Sequence, residues 1–242
     1  MIDIHSHILP EVDDGARTWE MAVHMCHMAA KDGIEHMVAT PHANANFAYD
    51  RTWLRGVLNE LGRRTAGKPK LSLGCDFHFS YENLESLAAE PHRFTIEDTP
   101  YLLVEFSDYS VPPSVTDQLY ELVNRGLRPI ITHPERNLLL QRKPERVVEW
   151  IRLGCAVQVT ASAFSGRWGD KPKKVAQWLM QRQAVHILAT DSHSVEGRPP
   201  ILSEARDFVG RHYGADVAAA LVHENPRAVV AGRPLPYFPQ VG

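Results

Sequence analysis

Short apolar runs alternate with longer amphipathic segments along the whole chain. The apolar runs begin near residues 2, 37, 72, 102, 129, 156 and 186, and each has the length of a β-strand. Between most of them, apolar residues recur at helical spacing, which predicts helices. The repeated order of strand and helix favours parallel strands that are covered by helices.

Helices are predicted after most of these runs. Thr18 is a candidate N-cap of the first helix, which continues to Lys31. The segment 81–100 is expected to be irregular or weakly helical, because Pro91 and Pro100 bracket it. The other predicted helices cover residues 51–66, 114–125, 144–153, 171–182, about 200–212, 215–222 and 226–231.

Seven strand openings predict an α/β fold, with a distorted seven-stranded (β/α)7 barrel of the TIM type as its architecture. An open, doubly wound sheet is the alternative. In both architectures, binding sites lie at the carboxyl ends of the strands. The chain has 242 residues, of which 44% are hydrophobic and 23% charged, and this fits a single domain over 1–242 with a substantial core.

The opening stretch Ile2–Gly15, I-D-I-H-S-H-I-L-P-E-V-D-D-G, carries the strongest chemical signal. Its alternating pattern predicts a strand, so His5 and His7 project from the same face. Pro10 ends the strand pairing, and the Asp-Asp-Gly turn returns carboxylates, including Asp14, towards the strand end. Two imidazoles on one strand face form half of a metal site.

Later apolar runs also end in an imidazole or a carboxylate. His42 follows the second run after a proline, and Asp76 lies in the third run. Glu105 closes the fourth run, where a lone buried carboxylate is costly unless it is paired or binds a metal. His133 closes the fifth run.

The last apolar run ends in Asp191 and His193, which repeat the spacing of the first two histidines. One ion needs about four to six ligands, so the complete set of candidates implies two or three divalent ions. Nitrogen and oxygen donors without sulfur suit manganese, with iron or zinc as alternatives. The nine candidate ligands are His5, His7, Asp14, His42, Asp76, Glu105, His133, Asp191 and His193.

Arg136 and Arg198 are the candidate catalytic residues. Each lies in a loop just after a strand end that carries predicted ligands. A guanidinium there can hold two phosphate oxygens and neutralise charge as it develops. Several divalent ions also lower the pKa of bound water and clamp the attacking and leaving oxygens. The combination predicts hydrolysis of a phosphate ester.

Composition excludes several other classes of protein. A net charge of -3 gives no reason to expect nucleic-acid binding. No run approaches the ~18 apolar residues of a membrane span, and no signal peptide precedes the first strand, so membrane insertion is not expected. Cysteines at 26, 75 and 155 do not form a disulfide framework, which favours the cytoplasm. The pattern predicts no particular oligomeric state.

Other catalytic schemes lack their sequence motifs. None of the cysteines is followed six residues later by an arginine, as a thiol-dependent phosphatase requires. The phosphate-loop, dinucleotide-binding and nucleophile-elbow motifs are also missing from the sequence. The histidines at 24, 27, 36, 78, 92, 186, 212 and 223 are interpreted as structural or exposed.

Together these motifs resemble the polymerase and histidinol phosphatase (PHP) family. The resemblance is closest to its branch of bacterial metal-dependent protein tyrosine phosphatases of capsule and exopolysaccharide synthesis. It rests on the opening stretch, on A-T-P-H, on the strand ending in Glu105, on T-H-P-E-R-N, and on D-S-H followed by R-P. It covers essentially the whole chain and implies a single PHP-type barrel domain.

The resemblance also implies a trinuclear site. One ion would be held by His5, His7 and Asp191, a second by Glu105 and His133, and a third by Asp14, His42 and His193. Asp76 would bridge the first two ions, at a position where the family usually has glutamate. The shorter side chain puts the spacing of this ion pair, and the metal that it prefers, in question.

The substrate that the resemblance implies is a phosphotyrosine protein, namely the tyrosine-rich tail of an autophosphorylating bacterial tyrosine kinase. Because the phenol of tyrosine has a pKa of about 10, it leaves more readily than an alkoxide. One alternative is a PHP phosphoesterase that acts on a small monoester such as histidinol phosphate. Another is a metal-stabilised interaction module without catalytic activity.

Overall fold

The computed structural model describes residues 1–241, and its nine strands pair in parallel throughout. This confirms an α/β fold with parallel sheets. The strands are β1 (Ile2–Ser6), β2 (His36–Ala39), β3 (His42–Ala43), β4 (Lys70–Leu73), β5 (Asp76–His78), β6 (Tyr101–Glu105), β7 (Arg128–Thr132), β8 (Ala156–Thr160) and β9 (Ile187–Ala189).

The helices follow the sequence prediction closely. Thr18 caps the first helix, since its hydroxyl accepts a hydrogen bond from the amide of Met21 at 3.2 Å. The segment after residue 80, expected to be weakly helical at most, forms a helix capped by Ser80. The helices are α1 (Trp19–Lys31), α2 (Arg51–Arg64), α3 (Tyr81–Ala89), α4 (Val115–Asn124), α5 (Glu145–Arg152), α6 (Asp170–Gln181), α7 (Ser203–Tyr213), α8 (Ala215–Ala219) and α9 (Asn225–Val230).

Three shorter helical segments complete the structure. They are the 3-10 turns Ile96–Asp98 and Ala161–Ala163 and the π-helical turn Ala220–Glu224, which continues α8 into α9. None of the helices within residues 1–241 has the length and apolar character that crossing a membrane would need.

The prediction of seven strands was wrong in number, because two of them are each divided in two. Between β2 and β3 the chain passes through Pro41, which has no amide hydrogen to donate to the ladder. Between β4 and β5 it passes through Gly74 and Cys75. A Cβ atom at Gly74 would lie only 2.8 Å from a side-chain carbon of Ile96, so this break requires glycine.

Two sheets result, with the strand orders β1-β2-β4 and β3-β5-β6-β7-β8-β9. The outer edges of the two sheets meet at a parallel bridge between Ser6 and Ser192. There the amide of His7 donates to the carbonyl of Ser192 at 2.8 Å. Since β2 leads into β3 and β4 into β5, the sheets also continue into one another along the chain.

Apolar residues lie below the polar strand ends on the same strand faces. Leu103 of β6 belongs to a small buried cluster, and Glu105 follows it on the same face. Ala189 of β9 belongs to the same cluster, and Asp191 follows at the same spacing. On these two strands the period of two therefore places a candidate ligand above an apolar floor.

His186 lies at the opposite, amino-terminal end of β9 and is fully buried. Its Nδ1 accepts a hydrogen bond from the amide of Val157 at 3.1 Å, and its ring centroid lies 4.3 Å from that of Phe238. Burial lowers the pKa of His186 from 6.5 to about 3. This histidine has a structural role, as the sequence suggested.

We expect protonation of His186 to destabilise the protein below about pH 6.5. The unfolded chain binds this proton below pH 6.5, whereas the folded chain binds it only near pH 3. The free energy of unfolding therefore decreases as the pH is lowered below 6.5. Between pH 6.5 and 5 the loss is about 2 kcal/mol. Denaturant unfolding at both pH values should show a loss that is about 2 kcal/mol larger in the wild type than in His186→Phe, since other buried histidines such as His133 contribute equally to both.

The exposed residue His24 provides the control, and His24→Ala should keep the wild-type pH dependence. An unchanged pH dependence in His186→Phe would contradict the prediction.

Candidate metal centre

The carboxyl edge of the strands gathers all nine candidate ligands. His5 lies on β1 and Glu105 on β6, while the turn after β9 carries Asp191. Residues distant in sequence meet there because parallel strands align their carboxyl ends. The side chains that converge are those of His5, His7, Asp14, His42, Asp76, Glu105, His133, Asp191 and His193. Their role as ligands stays a prediction.

The ligand atoms form four overlapping groups, within each of which they lie no more than 4.8 Å apart. Asp76 belongs to two groups, as do His5, His7 and His42. The groups are His7, Asp14, His42 and His193; His5, His7 and Asp76; His5, His133 and Asp191; and His42, Asp76 and Glu105. The first contains the complete set that the resemblance assigns to one ion.

The other two sets implied by the resemblance are also close together. Oδ1 of Asp191 lies 3.4 Å from Nε2 of His5 and 3.4 Å from Nε2 of His7. Nε2 of His133 lies 3.8 Å from Oε1 of Glu105. The geometry is therefore compatible with that assignment.

His133 and Asp191 adopt left-handed backbone conformations, with φ of 33° and 50°. Residues with a Cβ avoid this region, at a cost of about 1–3 kcal/mol each. Neighbouring strands hold both positions. The amide of His133 donates a hydrogen bond to the backbone carbonyl of Gln158, and the amide of Asp191 donates to that of His5, each at 2.9 Å. Such strain is typical of positions that direct a functional side chain.

Asp76 tests whether these residues fit a metal. The residue is fully buried, and among the described residues neither carboxylate oxygen has a hydrogen-bond partner. Oδ2 lies 3.4 Å from Nε2 of His5 and from Nδ1 of His42. This exceeds the 2.7–2.9 Å of a charge-assisted hydrogen bond. It matches the separation of about 3.3–3.4 Å between tetrahedral ligands about 2.0–2.1 Å from one ion. The residues fit a divalent cation.

The surroundings of Asp14 and Glu105 favour their ionised forms. The nearby imidazoles of His193 and His42 lower the pKa of Asp14 far below its usual value. Burial raises the pKa of Glu105, but hydrogen bonds from His42 and His78 outweigh burial and hold that pKa well below its usual value. Ionised carboxylates are the form that binds cations.

The imidazoles divide into two kinds. Burial, with the nearby charge of Arg136, lowers the pKa of His133 to about 3, so its ring is neutral and offers a lone pair. Burial also lowers the pKa of His5, but the carboxylates of Asp76 and Asp191 outweigh burial and raise that pKa to about 9. The surroundings of His5 therefore favour a positive charge, which a divalent cation also supplies.

A second layer of residues orients the imidazoles, and sequence reasoning missed it. Asp13 accepts a hydrogen bond from Nδ1 of His7 at 2.7 Å and from the amide of His42 at 3.1 Å. Gln158 lies 2.9 Å from Nδ1 of His5 through its Oε1. The polar Gln158 inside the apolar strand A-V-Q-V-T was a signal that could have revealed it.

Gly15 allows the Asp13 turn to close onto β1. A Cβ atom there would lie 2.0 Å from the carbonyl oxygen of His7, which no side chain could tolerate. The glycine of the D-D-G sequence is thus a condition for the contact between Asp13 and His7.

His78 corrects one interpretation of the sequence. It was interpreted as structural or exposed, but it contacts a candidate ligand, since its Nδ1 lies 3.4 Å from Oε2 of Glu105. His78 and Glu105 are register partners on the paired strands β5 and β6, and only that pairing brings them together.

Arg136 and Arg198 converge on the same atom. Each donates a hydrogen bond to Oδ2 of Asp191, whose Oδ1 faces His5 and His7. Asp191 therefore links the pair of guanidinium groups directly to the cluster of candidate ligands.

Two cavities border these arginines. Arg136 lines a cavity of about 380 Å³ together with Leu138. Arg198 lines another of about 430 Å³ together with Phe164 and Phe208. Both offer space beside the guanidinium groups for part of a substrate.

Comparison with known proteins identifies a matching family. The model of a family described as "Capsular polysaccharide synthesis, CpsB/CapC" matches residues 1–231. The tyrosine-protein phosphatase CpsB of Streptococcus pneumoniae is 30% identical over 241 residues, which cover 95% of this chain and 98% of CpsB.

Solved structures extend the likeness to three dimensions. One from a study of YwqE from Bacillus subtilis and CpsB from Streptococcus pneumoniae, described as unique metal-dependent tyrosine phosphatases, superposes with a TM-score of 0.92. This chain and the chain of that structure are 29% identical, and the superposition covers 100% of this chain and 99% of the other. An organophosphorus hydrolase variant from Deinococcus radiodurans has a TM-score of 0.56 at 14% identity, covering 95% and 92% of the two chains. The hydrolase supports only a TIM-barrel-like fold.

We expect Asp13→Ala to weaken divalent-metal binding by about 10- to 100-fold, because Asp13 orients His7 and the backbone of His42 without being a candidate ligand. Titration of the metal-free protein with Mn²⁺ or Zn²⁺ in a calorimeter measures the affinity. Asp117→Ala, an exposed change on α4, should bind as the wild type does. Wild-type affinity in Asp13→Ala would show that this hydrogen bond is dispensable.

Proposed function

The chain belongs to the CpsB/CapC family of capsular polysaccharide synthesis, and we propose on that premise that it is a metal-dependent protein-tyrosine phosphatase. The observation that carries this proposal is the convergence of nine nitrogen and oxygen donors with two arginines at one edge of the fold. The similar proteins CpsB and YwqE are tyrosine phosphatases, which supports the same activity.

We assign the nine side chains as ligands of two or three divalent ions. Manganese is the proposed metal, with iron or zinc as alternatives, because the donors include no thiolate. The overlapping groups support the assignment, with Asp76 shared between two of them. We also propose that the two sheets form one distorted seven-unit barrel, which the bridge between Ser6 and Ser192 supports.

In the proposed reaction, Arg136 and Arg198 bind the phosphoryl group. Each guanidinium has five N–H donors, and contact with one oxygen of Asp191 leaves donors free for phosphate. Divalent ions bound at the site would lower the pKa of a water ligand and offset charge on the phosphate. Because a phenol has a pKa of about 10, its departure depends little on a general acid.

The proposed substrate is a phosphorylated tyrosine in a protein, specifically the tail of a bacterial autophosphorylating tyrosine kinase that controls polysaccharide export. The family description supports a role in capsule synthesis. We propose a cytoplasmic location, which three buried and unpaired cysteines support, since such thiols persist in reducing compartments. The cysteines are Cys26, Cys75 and Cys155.

The decisive assay compares a phosphotyrosine peptide with histidinol phosphate, each with and without added Mn²⁺. We expect the metal-loaded enzyme to hydrolyse the peptide with the higher kcat/KM, and chelation to abolish activity. Preference for histidinol phosphate would instead support a small-molecule phosphoesterase. Full activity of His133→Ala would count against the metal site as the catalytic centre.

We expect Arg198→Lys to lower kcat/KM for the peptide by about 10- to 100-fold, because lysine keeps the charge but cannot hold two phosphate oxygens in one plane. Bound metal, measured by elemental analysis, should stay at the wild-type level. Arg142→Lys, at an exposed position, is the matched control and should leave kcat/KM unchanged. Equal activity of Arg198→Lys and wild type would remove Arg198 from the mechanism.

A further inference from the structure

Trp168 contacts both arginines of the site. The guanidinium carbon of Arg136 lies 4.2 Å from the centre of the indole ring, and that of Arg198 lies 5.1 Å from it. The tryptophan belongs to the loop between the 3-10 turn Ala161–Ala163 and α6. One indole ring therefore contacts two guanidinium groups, whereas a cation–π contact usually involves one.

The indole ring is held in place by its own loop. Its Nε1 donates a hydrogen bond to the hydroxyl of Ser162 at 3.0 Å. The loop closes next to it, where the amide of Gly169 donates to the carbonyl of Gly166 at 2.9 Å. Trp168 is half-buried, so part of the ring packs within the protein while it contacts the arginines.

The two guanidinium groups share a single carboxylate oxygen, Oδ2 of Asp191. Asp191 offers one negative charge to Arg136 and Arg198, whose side chains are only 13% and 24% exposed. Mutual repulsion between the arginines would tend to separate them. The π face of an indole attracts cations, and the attraction grows as water is excluded.

An aromatic face attracts both arginines without occupying their N–H donors. The donors of a guanidinium lie in its plane, whereas the attraction to an indole acts across a ring face. A second carboxylate would consume these donors and repel a phosphate. An indole therefore suits a site where both arginines must stay together and still bind an anion.

We propose that Trp168 is a positioning residue that holds Arg136 and Arg198 as a pair directed at the phosphoryl oxygens. The inference rests on the proposed phosphatase function of the site. The proposal gives Trp168 a role in phosphate affinity although its only side-chain N–H group donates to Ser162 and not to phosphate. The ring acts through the two arginines and does not bind the metal.

The chain contains a matched pair outside the site. Trp178 of α6 has the guanidinium of Arg182 at 3.8 Å from its ring centre. Neither residue belongs to the groups of candidate ligands. Trp178→Leu removes the same kind of contact without touching Arg136 or Arg198.

The test compares Trp168→Phe, which keeps an aromatic face, with Trp168→Leu, which keeps only apolar bulk. The readouts are the inhibition constant of inorganic phosphate, kcat and KM for a phosphotyrosine peptide, the metal content and the melting temperature. We expect Trp168→Leu to weaken phosphate inhibition by about tenfold and to raise KM similarly, with unchanged metal content. For Trp168→Phe, both constants should stay within about threefold of the wild-type values. Trp178→Leu should have the wild-type values.

Equal phosphate inhibition in wild type and Trp168→Leu would overturn the proposal. Equal weakening of phosphate inhibition in Trp168→Phe and Trp168→Leu would also overturn it, since the aromatic face would then be irrelevant. So would a weakening that is accompanied by a matching loss of bound metal. If Trp168→Leu does not fold, Trp168→Met takes its place, because its longer side chain fills more of the space.

A failure of the phosphatase proposal itself would be recognised separately. In that case the metal-loaded wild type would not hydrolyse the phosphotyrosine peptide. Calorimetric binding of inorganic phosphate to the metal-loaded variants would still report on Trp168. Tight binding by the wild type and weak binding by Trp168→Leu would support the positioning role, whereas equal binding would refute it.

Discussion

The carboxylate of Asp76, which is buried and has no hydrogen-bond partner within residues 1–241, sets the strongest constraint on this structure. Leaving such a charge in an apolar interior costs many kcal/mol, so it needs compensation by a cation or by protons on its neighbours. Its oxygen faces the rings of His5 and His42 at distances that exceed those of charge-assisted hydrogen bonds. The arrangement is best understood as a cage for cations. An aspartate at this central position is one methylene shorter than the glutamate that the resemblance implies.

The cage depends on the layers beneath and around it. On β6 and β9 apolar residues form its floor, and the same strand faces then present Glu105 and Asp191. Asp13 and Gln158 fix the orientation of His7 and His5 from behind, so these rings direct Nε2 towards the centre. A half-satisfied polar network would destabilise the core, which gives these hydrogen bonds a structural as well as a functional role.

Asp191 joins the two halves of the site. One of its oxygens faces the imidazoles of the cage, and the other accepts hydrogen bonds from both arginines. The cationic side chains are thereby placed next to the position where metal and phosphate would meet. Trp168 lies against the arginines on the side of the loop before α6. Charge, hydrogen bonding and aromatic packing thus act on the same two guanidinium groups.

The sequence by itself determined the alternation of strands and helices, the cap at Thr18 and the polar residues near the ends of the apolar runs. These are local properties, since side chains alternate along a strand and polar residues at a buried strand end require a partner. The parallel order also implied that the strand ends would meet, which is why all nine candidate ligands could be named. Only the tertiary structure decided the division of two strands, the contact of His78 with Glu105, and the roles of Asp13, Gln158 and Trp168. Each of these depends on which side chains approach one another across the fold, and spacing along the chain does not encode that distance.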